Sequence, residues 1–258
     1  MTPSQVIKLF VPPIIGKILN RLSPPALTDW YEGPFAEPPE NVGPDPFASQ
    51  SWSAHIRKCL DDLEQLDYRH TGFNNHDLIL SLLTSMHGGT VLDFGGGAGV
   101  GYPWAVSQHK TRYIVVDGEA SMNIGRAYWR DGQIEFQSDI PPHADIVNCN
   151  GTLHCIREWR DALKALLATK PKYFLLSRHL TAEGIGAEMY CIQHVAQHGN
   201  YVATLIPERE LLAVFGAAGY RTLGNWQQQN LAYRCPGWTL SVTERTLLLS
   251  LNPQSGAR

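Results

Sequence analysis

An acidic residue followed by glycines at every second position is the feature of this sequence best suited to hold a ligand. Asp93 stands before Gly95, Gly97 and Gly99, at the end of the apolar run 90–94. Glycine has no side chain, so a ligand can approach the backbone closely where such a turn leaves a strand. The carboxylate of Asp93 would repel a pyrophosphate and would attract a cationic group, directly or through water.

The spacing of these glycines does not match a dinucleotide site. The G-x-G-x-x-G pattern of such sites requires a third glycine at position 100 or 102, where Val100 and Tyr102 stand. The register and the acid at Asp93 therefore disfavour a nicotinamide oxidoreductase.

A second acid, Asp117, ends the next apolar run, 113–116. A carboxylate at the end of the second strand can accept hydrogen bonds from both hydroxyls of a ribose, because it has two acceptor oxygens. A ribose joined to a cationic tail, with a sulfonium and an ammonium, describes S-adenosylmethionine. We therefore expect this molecule as the cofactor.

The two acids and the glycines resemble motifs I and II of the class I methyltransferases. The resemblance implies that Asp93, Gly95, Gly97, Gly99 and Asp117 bind S-adenosylmethionine.

Two later segments agree with this resemblance. The first, 137–140, would place Asp139 near the adenine amine of the cofactor. The second, 145–154, resembles motif IV, whose loop runs under the cofactor and faces the methyl acceptor, and it contains Asn150.

Apolar runs and helical spacing alternate along most of the chain, and this alternation predicts the fold class. Strands are expected at 90–94, 113–116, 134–137, 146–149, 173–176, 221–225 and 245–251, and helices at 53–67, 75–86, 99–108, 120–129, 158–168 and 208–218. We predict an α/β fold of the Rossmann-like class I methyltransferase type. Its seven-stranded sheet is mostly parallel and has helices on both faces.

A closer resemblance covers about residues 30–250. The segment WYEGPF at 30–35, the VLDFGGG motif at 91–97, KPKYFLLSR at 170–178 and IQHV at 192–195 resemble a bacterial group of methyltransferases often encoded in O-antigen and other surface-polysaccharide biosynthesis clusters. Members of that group commonly carry a Glu-Gln-Pro-like turn after the second strand. Here Asp117-Gly118-Glu119 stands instead, which leaves Glu119 as an alternative to Asp117 for the ribose.

Methyl transfer needs a general base only when the acceptor is a poor nucleophile, such as a sugar hydroxyl. Three histidines are candidates for this side of the site: His154 after the motif IV strand, His179 after the fifth strand, and His194 in the IQHV segment. Each could instead make only a structural hydrogen bond. Arg178 could bind an anionic acceptor or pair with a local acid. The i,i+4 spacing of His194 and His198 would suit a metal, but no third ligand is evident and no metal is predicted.

Composition narrows the class of partner. The net charge is −3 over 258 residues and no Lys/Arg-rich run occurs, so a nucleic-acid partner is not expected. Five cysteines without a CxxC pair argue against a disulfide framework or a structural zinc site. A cytoplasmic protein is expected.

The first 52 residues are predicted to form an extension to a methyltransferase domain at 53–258. Within 5–22, apolar residues fall at helical spacing, interrupted by two prolines, and the run is too short to span a membrane. This helix could pack on its own domain or on a partner chain, as in a homodimer. It could also lie on the inner membrane surface. Residues 23–51 are rich in proline and are interpreted as an irregular aromatic arm.

These observations favour an S-adenosylmethionine-dependent methyltransferase that acts on a small-molecule or carbohydrate acceptor, with O-methylation in surface-polysaccharide biosynthesis as the expected role. A natural-product or lipid-linked acceptor is an alternative. A non-catalytic binding or scaffold protein with the same fold is the alternative from another class, but such a protein would have no need of both the glycine motif and Asp117.

Overall fold

The computed structural model describes residues 30–40, 42–43, 45–65, 76–102, 110–129, 132, 134–182, 184–195, 198–227 and 242–252. The helix expected within 5–22 lies outside these ranges, as does most of the helix expected over 99–108.

Ten strands are found in the described part of the chain, together with five helices of four residues or more. The strands are β1 (Trp30–Phe35), β2 (Gly89–Phe94), β3 (Thr111–Val116), β4 (Glu135–Gln137), β5 (Ile146–Asn150), β6 (Tyr173–Ala182), β7 (Met189–Val195), β8 (Gly199–Leu205), β9 (Tyr220–Gln227) and β10 (Val242–Leu251). The helices are α1 (Gln50–Gln65), α2 (His76–Met86), α3 (Glu119–Tyr128), α4 (Trp159–Ala168) and α5 (Glu208–Ala217).

Seven of the described strands form the main sheet, in the order β4-β3-β2-β5-β6-β10-β9. The first five are parallel to one another, and β10 runs antiparallel to both of its neighbours, β6 and β9. The prediction of a mostly parallel seven-stranded sheet is therefore confirmed. The carboxyl ends of β2, β3, β4 and β5 meet at one edge, so the loops after them lie side by side.

The central strands are buried on both faces, which is why they read as continuous apolar runs in the sequence. On one face, Leu92 of β2 and Val147 of β5 pack with Trp159 and Leu163 of α4. On the other face, the neighbouring strand residues pack with α2. That cluster contains Val91, Val115, Ile146, Leu175, Ile79 and Leu83. The helices thus fix the two faces of the sheet and leave its carboxyl edge for a ligand.

A second sheet, here called the cap sheet, consists of β1, β7 and β8 in the order β1-β7-β8. All of its pairs are antiparallel. Its inner face contributes Tyr31, Cys191 and Ala203 to a cluster with Leu180 and Ala182 of β6. The cap sheet therefore packs against the extension of β6 beyond the main sheet's other parallel strands, and β8 contacts the 3₁₀ turn that follows β5.

The cap sheet corrects one expectation. The interpretation of 23–51 as an irregular arm is wrong at Trp30–Phe35, which form a strand. Glu32 in this strand lies beside His194 of β7, 162 residues later, and a bulge at Gly33-Pro34 breaks the alternation that would have revealed a strand. The i,i+4 spacing of His194 and His198 does not fall within a helix, because His194 is in β7 and His198 is in the turn before β8.

The predicted strands of the main sheet are all present. The largest difference is at β6, which continues to Ala182 past the predicted end at 176. None of the helices described combines the length and the hydropathy needed to cross a bilayer.

Candidate functional site

The turn after β2 is held in an unusual backbone conformation at its three alternate glycines. Gly95, Gly97 and Gly99 have φ values of 76°, 60° and 79°, a region that residues with a Cβ seldom adopt. A Cβ on Gly95 would lie 1.9 Å from Oγ1 of Thr152, and one on Gly99 would lie 2.8 Å from Cδ1 of Ile134. These two glycines are therefore required by close packing of the protein itself.

Gly97 is different, because its position faces open space. Of the described atoms, only Cδ1 of Ile56 comes within 4 Å of a Cβ built there, at 3.9 Å. Ile56 belongs to α1, which packs with Leu60 against Ala98 and Val100 of the same turn. Gly97 is thus the point of the turn where a ligand can touch the backbone.

Asp117, at the end of β3, is bonded to this turn. Its Oδ2 accepts a hydrogen bond from the backbone N–H of Gly97 at 2.8 Å, and its Oδ1 accepts one from Gly118 at 2.6 Å. Burial raises the pKa of Asp117, and the two backbone hydrogen bonds oppose that rise. Each carboxylate oxygen keeps a second acceptor position, so the group can also bind a ligand hydroxyl.

Asp93 lies beneath the turn and not beside its open face. The side chain is 4% exposed. Tyr113 donates to its Oδ2 at 2.6 Å and Asn148 donates to its Oδ1 at 2.8 Å. Burial raises the pKa of Asp93 to about 6, against the lowering effect of these two donors. A Cβ on Gly96 would lie 2.4 Å from Oδ2, so the turn rests directly on the carboxylate. Asp93 supports the turn through this contact.

Three polar side chains continue from Asp93 towards the carboxyl end of β5 and β6. Asn148 and Asn150 lie two residues apart on β5 and so share a face of the sheet, and Ser177 is the register partner of Asn150 on β6. The Oδ1 atoms of both asparagines and the Oγ of Ser177 are buried without a hydrogen-bond partner among the described residues. Buried polar atoms of this kind normally have a partner, so a ligand with hydrogen-bond donors fits here.

Asp139 follows β4 at the same edge and is exposed, with the hydroxyl of Ser138 3.4 Å from its Oδ2. It is therefore accessible to a ligand that extends from Asp117 across the end of β4.

His154 lies in the 3₁₀ turn after β5 and is 5% exposed. Its Nε2 is 3.5 Å from the hydroxyl of Tyr201, and its Nδ1 has no partner among the residues described. Burial lowers the pKa of His154 to about 3, with smaller contributions from His179 and Arg178. The imidazole is therefore neutral at physiological pH.

His179, on β6, is 1% exposed, with Nε2 3.4 Å from the carbonyl oxygen of Ile206. Burial lowers its pKa to about 4, and the bond to the carbonyl opposes this shift. Its neighbour Arg178 has a φ of 50° and places Nε 3.6 Å from Oε2 of Glu244. The local acid that sequence analysis left open for Arg178 is thus Glu244.

His194 is not brought together with the other two histidines. It lies on β7 with Nε2 3.3 Å from Oε2 of Glu32 on β1. The adjacent residue, Gln193, contacts Tyr201, which in turn contacts His154. Since successive residues of a strand point to opposite faces, His194 points away from His154.

Sequence reasoning missed Tyr113, Asn148, Thr152, Ser177 and Tyr201 as members of this region. Asn148 gave a usable signal, because it is a polar residue inside the buried run of β5. Gln193 was quoted only within a resembling segment. In the described residues, no group of three His, Cys, Asp or Glu side chains converges as metal ligands would.

Comparison with known proteins identifies the fold of this chain but does not assign it to a family. No protein-family model matches the sequence, and no curated protein matches it. The complex between the Haloferax volcanii methyltransferase activator Trm112 and a protein described as a methyltransferase contains a similar chain: 17% identity, 81% of this chain and 97% of that chain covered, TM-score 0.54. A protein from Listeria monocytogenes described as an S-adenosylmethionine-dependent methyltransferase is 12% identical over 68% of this chain and 97% of that one, with a TM-score of 0.51.

A third similar structure is 1,6-didemethyltoxoflavin-N1-methyltransferase of Burkholderia thailandensis, with bound 1,6-didemethyltoxoflavin and S-adenosylhomocysteine. It is 15% identical over 83% of this chain and 94% of that one, with a TM-score of 0.46. The first two of these structures have TM-scores above 0.5, which indicates that they share the fold of this chain. The chain therefore has the α/β fold of S-adenosylmethionine-dependent methyltransferases.

Proposed function

We propose that this chain is an S-adenosylmethionine-dependent methyltransferase that methylates a hydroxyl of a small molecule or carbohydrate. The observation that carries the proposal is the bond from the backbone N–H of Gly97 to Asp117. It joins Gly97, which is open among the described atoms, to a carboxylate at the end of β3, so a ligand that touches the backbone at Gly97 also reaches Asp117.

The residues present fit the cofactor part by part. Asp117 keeps acceptor positions for the two ribose hydroxyls. Asp139 is accessible farther along the same edge, as expected for a partner of the adenine amine. The ammonium group of the cofactor tail has three N–H donors, and the Oδ1 of Asn150 is a buried acceptor that lacks a partner in the described structure. Donor and acceptor are therefore matched at both ends of the molecule.

When bound, S-adenosylmethionine supplies a methyl group on a sulfonium, which is an already activated electrophile. The protein's task is then alignment of the acceptor and exclusion of water. The cap sheet lies against the extension of β6 and beside the turn after β5, so it can enclose the acceptor next to Asn150 and His154. Surface-polysaccharide biosynthesis, as the setting, rests on the resemblance of residues 30–250 described above.

Calorimetric titration with S-adenosylhomocysteine and with S-adenosylmethionine tests the proposal. We expect micromolar binding of both by the wild-type chain. Asp117→Ala should weaken binding at least tenfold, about 1.4 kcal/mol, because charge-assisted hydrogen bonds to the ribose are lost. Glu119→Ala is the matched control, since this neighbouring acid is exposed and pairs with Arg126.

A folded wild-type chain that binds neither compound would overturn the proposal and would favour a scaffold protein of this fold. Equal affinity of wild type and Asp117→Ala would overturn the ribose assignment alone. Weaker binding by Glu119→Ala and not by Asp117→Ala would transfer the ribose role to Glu119.

A further inference from the structure

Two residues of the cap sheet connect to His154 through a chain of hydrogen bonds. Gln193 of β7 and Tyr201 of β8 are direct register partners, so their side chains lie on the same face of the cap sheet. The hydroxyl of Tyr201 donates to Oε1 of Gln193, and the same hydroxyl oxygen lies 3.5 Å from Nε2 of His154. The side chains of Tyr201 and Gln193 thus connect the cap sheet to the turn after β5.

The direction of these hydrogen bonds determines which nitrogen of His154 carries the hydrogen. An amide oxygen can only accept, so the single hydrogen of the Tyr201 hydroxyl is used in the bond to Gln193. Tyr201 then offers only lone pairs to its other two hydrogen-bond partners, His154 and Cys155, so Nε2 of His154 must be the donor. In a neutral imidazole the other nitrogen, Nδ1, is then left as an acceptor.

The Nδ1 atom is the acceptor at the end of this chain of hydrogen bonds. It is buried, and no described residue donates a hydrogen bond to it. A buried acceptor without a partner costs free energy unless a donor arrives from outside the protein. Arg178, whose Nε lies 3.6 Å from Oε2 of Glu244, is the cation that acts on His154 and lowers its pKa, together with burial and His179. Because a cation already acts on this imidazole, a neutral O–H or N–H group fits Nδ1 better than a cationic donor.

We propose that Tyr201 and Gln193 are positioning residues that hold His154 in its Nε2–H tautomer and so present the Nδ1 lone pair to the hydroxyl of an uncharged methyl acceptor. This rests on the proposed function. As the acceptor oxygen bonds to the methyl carbon, the bond from that carbon to the cofactor sulfur breaks, its electron pair stays on sulfur, and the hydroxyl hydrogen passes to Nδ1.

The low pKa of His154 determines when the hydrogen moves. Burial lowers the pKa of His154 and makes it a weak base, so it accepts a hydrogen more readily from an oxygen that has gained positive charge by bonding to the methyl group than from a free hydroxyl. Transfer to Nδ1 thus accompanies methylation and does not precede it. His179 and Arg178, which face His154, both favour this neutral state.

The tautomer can be read without a cofactor or an acceptor. The full chain, labelled with ¹⁵N at histidine, gives long-range ¹H–¹⁵N correlations that distinguish Nε2–H from Nδ1–H, and His154→Gln identifies the signals of His154. We expect the Nε2–H form in the wild type. In Gln193→Met the hydrogen of the Tyr201 hydroxyl is no longer used in the bond to Oε1. It can be donated to Nε2, the better acceptor of the two remaining partners, His154 and Cys155, so the signal should change to the Nδ1–H form. Tyr201→Phe should give a mixture of the two.

Tyr190→Phe is the matched control, because the hydroxyl of this cap-sheet tyrosine donates to Glu188 at 2.6 Å, not to Gln193. It should leave the His154 signals unchanged. An Nδ1–H form in the wild type, or an unchanged tautomer in Gln193→Met, would overturn the inference. If Tyr201→Phe fails to fold, the wild type and Gln193→Met still decide. Since no step uses S-adenosylmethionine, failure here is separate from failure of the proposed function.

Discussion

Gly95 and Thr152 are in such close contact that a Cβ on the glycine would lie 1.9 Å from the threonine Oγ1. The first belongs to the turn after β2 and the second to the loop after β5, and these strands are neighbours in the main sheet. The two loops therefore form one packed unit. The backbone that would hold a cofactor and the segment that carries His154 cannot shift independently.

This contact predicts the effect of Gly95→Ala. Alanine at a φ of 76° costs on the order of 1–2 kcal/mol in backbone strain, and displacement of Thr152 adds to it. The matched control is Gly132→Ala, where φ is 75° and no described atom lies within 4 Å of the new Cβ. Urea denaturation should show that Gly95→Ala lowers the free energy of unfolding by at least about 2 kcal/mol more than the control. Equal losses would mean that the loops are not packed as described.

Gly97→Ala should separate ligand binding from folding. Its new Cβ would touch only Ile56 among the described atoms, so the loss of stability should be limited to the strain of a positive φ. The same methyl group would occupy the space through which a ligand reaches the backbone. We expect a loss of at least tenfold in affinity for S-adenosylhomocysteine by calorimetry, with a melting temperature close to that of Gly132→Ala. Retained affinity would place the cofactor elsewhere.

The sequence predicted the main sheet well, because each of its central strands is an apolar run that is buried on both faces. The glycine turn and Asp117 were also predictable, since their spacing along the chain reflects local geometry. The cap sheet was not. Trp30–Phe35 pairs with β7, far along the chain, and neither segment has clean two-residue alternation. Contacts of that kind depend on the tertiary fold.

The same dependence on the tertiary fold explains why the sequence did not distinguish the three candidate histidines. Sequence position placed His154 and His179 near the carboxyl edge, His194 was a candidate only through the IQHV segment, and only the tertiary fold distinguishes the three. Gln193 and His194 are adjacent in the chain and point to opposite sides of β7. The support that Tyr201 gives to His154 had no signal in the sequence, because a tyrosine in a strand is most often a packing residue.

The two buried histidines predict a loss of stability in acid. Their pKa values are lowered from 6.5 to about 3 and about 4 by burial, so the unfolded chain binds protons below pH 6.5 that the folded chain does not. A group with a depressed histidine pKa contributes stability that is present above pH 6.5 and is lost as pH falls. Between pH 7 and pH 5, each of the two histidines should lower the free energy of unfolding by about 2 kcal/mol.

Asp93 opposes this trend, because its pKa is raised to about 6 and the folded chain takes up a proton there between pH 7 and pH 5. This proton uptake raises the free energy of unfolding by about 1 kcal/mol. Urea denaturation at both pH values should therefore show a net loss in the wild type and a smaller loss in His154→Gln. A free energy of unfolding that does not change with pH would show that these histidines are not buried as neutral groups.

Trp52 should help to hold α1 against both the glycine turn and the cap sheet. Its ring lies 5.2 Å from that of Phe47 and 5.4 Å from that of His198, so it joins the start of α1 to the β7–β8 turn. Trp52→Ala should lower the free energy of unfolding by about 2 kcal/mol and speed amide exchange in both α1 and β8. The control is Trp226→Ala on β9, where the side chain is 39% exposed and the change should stay within about 0.5 kcal/mol. Faster exchange in α1 alone would show that it does not hold the cap sheet.

Asn150 should recognise only one end of the cofactor. Its Oδ1 is a buried acceptor that lacks a donor in the described structure, and the ammonium of the cofactor tail is the donor proposed for it. Asn150→Leu should therefore weaken binding of S-adenosylhomocysteine about tenfold or more, by loss of a charge-assisted hydrogen bond. Adenosine has the ribose and the base but no amino-acid tail. Its affinity should be unchanged in Asn150→Leu and reduced in Asp117→Ala.

These two ligands and two variants locate each end of the molecule independently. Should Asn150→Leu weaken adenosine as much as S-adenosylhomocysteine, the asparagine supports the site as a whole and does not bind the tail. Should it weaken neither, the tail lies away from β5, and the proposed position of the acceptor beside His154 would have to change with it, because the transferable methyl group is attached next to that tail.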